Sequence, residues 1–464
     1  MTTVPAAPTE IPAPTPGEAP SFSLEGTRET PRRVLMKGNE AIAEAAIQAG
    51  CDAYFGYPIT PQAELLEWMA RRMPELGRPF VQAESELGAI NMALGAAAAG
   101  ARVLVSSSGP GISLMAEGMS YMAGSEVPMV LINVMRGGPG LGSIGPSQSD
   151  YFQAVKGHGH GDYRVPVLAP ASIGEAMELV ATSFELAERY RTPVIMLADG
   201  IMGQAMEPVE QRFRTPPRLD ASWALEGADG REPRVVRSLH LDPEDLEEHN
   251  QHLQEKYRAI AEHEVRWTGE RLDDAELVVV AYGTAARVAR TAIARARGAG
   301  LRVGLFRPIT LWPFPTAELA RVAERVRGML VVELSAGQMV EDVRLAVEGR
   351  VPVTFDGRTG GMVPSPDEVV EALHELAATG VPSRRAQRAR RRPPAPVSGE
   401  EHVHPHEPMP EPETGHEALS IFGDDAWQPL WYTVPVASAQ AHKRRGRGLH
   451  GPAERDQRHE GGKR

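Results

Sequence analysis

Short apolar runs, each followed by a stretch with helical spacing, alternate from Arg33 to about Pro216 and begin again at Leu277. This rhythm constrains the fold more than any other feature. A strand that pairs in parallel with its neighbour needs a crossover, and crossover helices then cover the faces of the sheet. Val34-Leu35-Met36 opens the first region as a strand, Gly38 to Ala49 has small and apolar residues at helical spacing, and Ala53 to Tyr57 reads as the next strand, stopped by Pro58. Val103 to Val105, Met129 to Val134, Val167 to Ala169 and Val194 to Leu197 are further strands of one α/β domain. The second region reads as strand Leu277–Ala281, helix Arg287–Ala299, strand Leu301–Phe306, helix Thr316–Arg327 and strand Met329–Glu333. This run is too short for a barrel and predicts an open, doubly wound parallel sheet. Between the regions, Asp242-Pro243-Glu244-Asp245 is a helix start with Asp at the cap and Pro at the first position. The charge-dense helix it opens is expected to run to Trp267, outside the core, as a connector.

Shifts in composition set the expected boundaries: a disordered Pro-rich extension at 1–33, an α/β domain at 34–216, a helical connector at 217–271, a second α/β domain at 272–381 and a low-complexity tail at 382–464. The start has neither the basic nor the apolar segment of a secretory leader. No window reaches the roughly 18 to 20 apolar residues of a membrane span; Leu87 to Val105 comes nearest and carries Asn91 and Arg102. A soluble, cytoplasmic protein without a membrane partner is expected. With 61 acidic against 49 basic side chains the net charge is −12, which argues against nucleic acid as the principal partner. The tail holds seven of the 14 histidines, a basic cluster at Arg384–Arg392 and an apolar island at Ile421-Phe422 and Trp427–Val436. Pro-broken disorder there favours adventitious metal binding over a metal site; the basic cluster reads as a solvated linker over a contact with an acidic partner, and the apolar island could dock on a partner or on the body. Cys51 is the single cysteine. It excludes an internal disulfide, a Cys-based zinc site and an iron–sulfur cluster held by this chain alone, since a cluster needs about four thiolates.

Four stretches carry possible chemistry. Gly56-Tyr57-Pro58-Ile59-Thr60-Pro61 follows a strand directly, and its prolines fix a hydroxyl at the carboxyl end where open α/β sheets place ligands; alternatively Thr60 caps a helix that begins at Pro61. Gln82-Ala83-Glu84-Ser85-Glu86-Leu87-Gly88-Ala89-Ile90 leads into a helix of small residues, with Ser85 as cap and Glu86 in the first turn. A carboxyl there is pulled two ways, because the helix dipole favours its anion and desolvation its neutral form, which can donate to a ligand nitrogen. The bland reading of Glu84 and Glu86 is dipole complementation at a solvated helix end. Ser106-Ser107-Ser108-Gly109-Pro110-Gly111 could cradle an anion at a helix start, but it lacks the Lys of a phosphate loop and the spacing of a dinucleotide fingerprint. Arg136, at the end of a strand and before Gly137-Gly138-Pro139-Gly140, could clamp a carboxylate in fork geometry. Gln148-Ser149-Asp150-Tyr151 and Lys156 to Tyr163 complete the set. His158, His160 and Asp162 look like metal ligands on paper, yet alternate residues of a Gly-rich loop share no fixed facing, so a flexible polar loop is the reading and no metal is assigned.

Together these residues support a resemblance. Met36 to Ala41, GYPITP, QAESELGAINMALGAAAAGARV, SSSGPG, NVMRGGPG, PSQSDYFQ and KGHGHGDYR look like the pyrimidine-binding subunit of the thiamine-pyrophosphate-dependent 2-oxoacid:ferredoxin oxidoreductase family. Within that family they are most similar to the branched-chain type, which acts on 3-methyl-2-oxobutanoate (2-ketoisovalerate). Ala281-Tyr282-Gly283-Thr284 and Phe306 to Pro315 resemble the family's transketolase-C-terminal-like domain, and the likeness runs from about Leu35 to Leu376. It implies that 34–216 is a pyrimidine-type thiamine-diphosphate domain in which Glu86 meets N1′ of the aminopyrimidine and favours the imino tautomer that removes the thiazolium C2 proton. It further implies that Tyr57, Pro58 and Ile59 lie beside the pyrimidine, that the Thr60 hydroxyl lies near the substrate, and that Arg136 binds the substrate carboxylate. The thiamine pyrophosphate is then shared with a partner subunit that holds the diphosphate and Mg2+. Iron–sulfur and gamma-type subunits pass electrons to ferredoxin, and CoA takes the acyl group. The same chemistry on 2-oxoglutarate or pyruvate, a non-catalytic scaffolding subunit and a nucleotide-binding module on the SSSGPG loop are the alternatives.

Overall fold

The computed structural model describes residues 33–157, 159–210 and 215–379, all within one compact unit. The chain begins β1 (Arg33–Lys37), α1 (Gly38–Gln48), β2 (Ala53–Gly56), α2 (Ala63–Glu75), β3 (Phe80–Gln82), α3 (Glu86–Ala98), β4 (Val103–Ser107), α4 (Pro110–Leu114) and α5 (Ala116–Gly124). It continues β5 (Met129–Met135), α6 (Tyr151–Lys156), β6 (Val167–Leu168), α7 (Ile173–Tyr190), β7 (Pro193–Asp199), α8 (Gly200–Gln204) and β8 (Met206–Glu210). After an irregular stretch come α9 (Pro243–His263), β9 (Trp267–Glu270), β10 (Leu277–Val280), α10 (Gly283–Gly298), β11 (Val303–Pro308) and β12 (Thr310–Trp312). The last elements are α11 (Thr316–Ala323), β13 (Gly328–Glu333), α12 (Met339–Val347), β14 (Val353–Gly357) and α13 (Pro366–Thr379).

Two largely parallel sheets result, as the alternation predicts. Seven strands run in the order β12-β6-β7-β5-β4-β2-β3 and five in the order β14-β13-β10-β11-β9. The central strands are apolar on both faces because helices cover both, which is why they read as unbroken Val/Leu/Ile runs. Three expectations change. β1 lies outside the large sheet, pairing antiparallel with β8 as a separate ribbon. The helix from Asp242, whose carboxylate accepts from the Glu244 N–H at 2.9 Å, ends at His263 and not at Trp267. Nor is it wholly external. Its inner stripe buries Leu253, Tyr257 and Ile260, each worth about 1.5–3 kcal/mol if fully desolvated, and Trp267 is the first residue of β9, stacked on Phe306 at 4.7 Å. β12 joins the large sheet antiparallel to β6, although it follows β11 of the smaller one.

The sheets share one core cluster, reaching from Phe55, Val105 and Leu131 through Tyr151 to Tyr282, Phe306 and Val331. Gln148, fully buried, fixes the seam: its backbone N–H donates to Leu334 O at 2.8 Å, its amide donates to Tyr282 O at 2.9 Å and accepts from the Leu334 N–H at 2.9 Å. Gln338 accepts from the Phe152 N–H and donates to Ser149 O, both at 2.7 Å, while the Tyr151 hydroxyl donates to Asp342 at 2.7 Å. The segment Gln148 to Tyr151 is therefore first a structural seam. Among the described residues no helix is long and apolar enough to cross a membrane.

Candidate active site

The carboxyl ends of β2, β4 and β5 converge, as their parallel register requires. The loop after β2 is gripped from behind. Ser106 Oγ donates to Gln62 Oε1 at 2.7 Å, so the buried Tyr54 hydroxyl must donate to Ser106 at 2.6 Å, and the Gln62 amide donates to Tyr57 O at 3.3 Å. Burial raises the Tyr54 phenol, which keeps it a donor. Gln62, and not Thr60, occupies the cap position of α2. Thr60 is exposed together with Tyr57 and Pro58, and Ile59 is half-buried, so this loop presents itself outward.

Ser85 caps α3 as expected, its hydroxyl accepting from the Gly88 N–H at 3.1 Å. Glu86, the next residue, is only 5% exposed, whereas Glu84 faces solvent. The Glu86 carboxyl makes no hydrogen bond to another described residue and lies over Gly111, the second residue of α4. A Cβ at Gly111 would stand 2.4 Å from Glu86 Oε1 and 2.2 Å from Ser107 Oγ. Ser107 and Ser108, both fully buried, have no hydrogen-bond partner among the described residues for their hydroxyls; neither has Asn133 Oδ1, which lies beside Ser107 in the β4–β5 register. A buried polar group left unpaired costs about 1–3 kcal/mol, so a cluster of them with a carboxylate marks a place for a polar ligand. Such a ligand must be flat enough to lie against the Glu86 carboxyl and the Ser107 hydroxyl, which fill the space beside Gly111, with nitrogens for them to meet. An aminopyrimidine fits that description. The sequence singles out Glu86, and Ser107, Ser108 and Gly111 only as part of a possible anion cradle; that Ser107 and Gly111 meet the Glu86 carboxyl, with Asn133 beside Ser107, depends on how β4, β5 and α4 come together.

Arg136 is 9% exposed just beyond β5. Its Nη1 donates to Thr60 O at 2.9 Å and its Nη2 to Leu141 O at 3.1 Å, while Nε has no partner among the described residues. The structure therefore brings Thr60 and Arg136 together, with guanidinium N–H groups left over for an anion. Asp150 accepts from Asn133 Nδ2 at 2.9 Å; burial raises its pKa against the opposing pull of Asn133 and Arg136. His160 is exposed and its carbonyl accepts from Ser120; Gly159 packs on Ala116 of α5, and His158 lies outside the described residues. Among the described residues no three His, Cys, Asp or Glu side chains are grouped to hold a metal ion. Cys51 is buried, donates to Ala53 O and is pushed up to about 12 by burial, which leaves an inert thiol.

Fold and site together define a thiamine-diphosphate-binding enzyme subunit. Residues 44–266 match the family model described as pyruvate flavodoxin/ferredoxin oxidoreductase, thiamine diphosphate-binding, and 275–369 match pyruvate:ferredoxin oxidoreductase core domain II. The chain belongs to the 2-oxoacid:ferredoxin oxidoreductase family. It is 51% identical to the ketoisovalerate oxidoreductase subunit VorB of Methanothermobacter thermautotrophicus over 346 residues, which cover 74% of this chain and 97% of that one. It is 36% identical to the 2-oxoglutarate synthase subunit KorA of Methanothermobacter marburgensis, over 73% of this chain and 98% of that one. Among solved structures it is similar to the 2-oxoglutarate:ferredoxin oxidoreductase of Magnetococcus marinus, at 26% identity and a TM-score of 0.67, with 77% of this chain and 67% of that chain covered.

Proposed function

We propose that this chain activates the thiamine cofactor of a 2-oxoacid:ferredoxin oxidoreductase that converts 3-methyl-2-oxobutanoate to its acyl-CoA and CO2 and reduces ferredoxin. The observation that carries the reading is Glu86, buried and unpartnered over Gly111 beside the Ser107 hydroxyl. When bound, thiamine pyrophosphate supplies a carbanion at C2 and a cationic ring that takes up the electrons of decarboxylation. Glu86 holds a proton at the pyrimidine N1′, and Tyr57, Pro58 and Ile59 line the ring. Thr60 and the free edge of Arg136 orient the substrate carboxylate. The greater identity to a ketoisovalerate subunit than to 2-oxoglutarate subunits supports a branched-chain substrate.

The remaining parts come from partners. A second subunit contributes the diphosphate site and Mg2+, and further subunits the iron–sulfur clusters, because one inert cysteine cannot ligate a cluster. The partner that brings the diphosphate must reach Glu86, and the helix carrying it offers a surface: Leu87 and Met92 are exposed on α3, with Leu114 and Tyr121 exposed on the neighbouring α4 and α5. Turnover of 3-methyl-2-oxobutanoate, 2-oxoglutarate and pyruvate by the complex reconstituted with its partner subunits tests the assignment. The branched substrate should have the highest kcat/KM, and a preference for either of the others would overturn the choice of substrate while leaving the chemistry.

A further inference from the structure

The smaller sheet is remote in sequence from Glu86, Thr60 and Arg136, yet one of its turns rests on the loop that holds Arg136. That loop, Gly137 to Gly145, closes on itself: the Gly137 N–H donates to Gly145 O at 3.0 Å, the Ser143 N–H to Gly137 O at 2.7 Å and the Gly145 N–H to Ser143 Oγ at 3.1 Å. At its tip the Leu141 carbonyl accepts from Arg136 Nη2 at 3.1 Å. Its back lies against Gly360 and Gly361, in the turn after β14, without room for side chains. A Cβ on Gly145 would stand 2.8 Å from Gly361 Cα, one on Gly361 would stand 3.0 Å from Gly145 Cα, and one on Gly137 would lie 3.3 Å from the Gly360 carbonyl carbon and Gly361 N. Gly360 and Gly361 have φ of +66° and +93°, which side chains rarely adopt. The turn is itself anchored: the Arg358 N–H donates to Glu333 O at 3.3 Å, the Met362 N–H to Thr359 O at 3.2 Å, and the Arg358 guanidinium pairs with Glu368 at 2.5 Å.

We propose that Gly360 and Gly361 are positioning residues for the substrate-carboxylate clamp. Pressed backbone to backbone on the glycine loop, they fix the Leu141 carbonyl, and that carbonyl with Thr60 O sets the plane of the Arg136 guanidinium. A planar fork binds a carboxylate through two parallel N–H bonds only in one orientation, so a small tilt weakens substrate binding. The inference rests on Arg136 being the carboxylate ligand.

The test places methyl groups at the contact without entering the left-handed region. Gly145→Ala, in the reconstituted complex, needs about 0.6 Å of retreat to reach ordinary contact, and should raise KM for the 2-oxoacid about tenfold with kcat within about twofold. Gly137→Ala, with a milder contact, should raise KM about two- to threefold. Gly138→Ala adds the same methyl to the same loop where nothing lies within 4 Å, and should leave KM unchanged. KM within about twofold of wild type in an assembled Gly145→Ala complex, or an equal rise in Gly138→Ala, would overturn the proposal. Should Gly145→Ala fail to assemble, Gly137→Ala decides; if that also fails, the contact is structural and the proposal falls. Arg136→Lys separates the two layers. An unchanged KM there would remove the ligand role of Arg136 itself, whereas a raised KM beside a neutral Gly145→Ala would remove only the role of the glycine turn.

Discussion

Replacing Gly111 by alanine probes the most crowded point of the site. The residue sits in the first turn of α4 without a left-handed φ, so alanine is conformationally free there and gains about 0.5–1 kcal/mol of helix stability. The added methyl would nevertheless meet Glu86 Oε1 at 2.4 Å, Glu86 Cδ at 2.8 Å and Ser107 Oγ at 2.2 Å. Ordinary contact begins at 3.4 Å, so the carboxyl must withdraw by about 1 Å. Overpacking costs about 1–3 kcal/mol where neighbours are locked. Here the Glu86 side chain can rotate and the Ser107 hydroxyl has no partner to lose among the described residues, so the net change in stability should stay within about 1 kcal/mol. A 1 Å error in a proton-holding group is expected to slow C2-proton exchange of bound thiamine pyrophosphate about 100-fold, or about 2.7 kcal/mol. The assay is exchange followed by NMR in the reconstituted complex, with thermal unfolding measured alongside. Exchange within about threefold of wild type in an intact, cofactor-loaded complex would refute the role of the Glu86 carboxyl, as positioned over Gly111, in holding the proton.

Glu86→Gln should leave the complex assembled and lower the same exchange by at least about 100-fold, and near-normal exchange would mean that another group activates the cofactor. Met92→Glu puts a charge on the exposed face of α3; copurification with the diphosphate-binding partner should be lost while the melting temperature of the isolated chain moves by no more than about 2 °C. Burial pushes the Glu126 carboxyl up, but Lys256 at 2.9 Å, His252 at 3.0 Å and Arg191 outweigh it and hold it at about 2. Its folded pKa lies below the ordinary 4.5, so the stability it contributes is present above about pH 4.5 and lost as pH falls toward 2. Burial also disfavours the Lys256 ammonium, which offsets part of this gain. Urea unfolding of wild type and Glu126→Gln at pH 7 and pH 3 should show a smaller acid loss in the variant, and equal losses would refute the assignment.

Period and punctuation made the strands and most helices legible. Continuous apolar runs announced β4, β5, β7 and β10, and Ser85 and Asp242 announced their helices through side-chain oxygens whose capping role is local. Glu86 was legible because its place at the head of a helix of small residues is local too. What failed to show depends on contacts distant in sequence. A buried glutamine that bridges Tyr282 and Leu334 spells the same as one that faces a ligand, so the sequence alone puts Gln148 among the chemistry-bearing residues although it forms a seam. Thr60 between two prolines had the chemistry of a cap, but the buried network of Tyr54, Ser106 and Gln62 shifted the start of α2 to Ala63. Val34-Leu35-Met36 has strand propensity, and nothing local says that its partner is β8.

The three residues of β12 have a consequence for how such a chain can be cut or recombined. Thr310 to Trp312 cover the edge of β6, itself only two residues long, and Trp312 packs edge-on against Tyr257 of α9. A ribosome must therefore release residue 312 before the large sheet has its last strand, by which point β10 and β11 are already synthesised. A chain truncated between the two regions would leave β6 as a bare edge, open to pairing with another molecule. The two regions are therefore expected to behave as one block, with a break between them costing the large sheet its last strand.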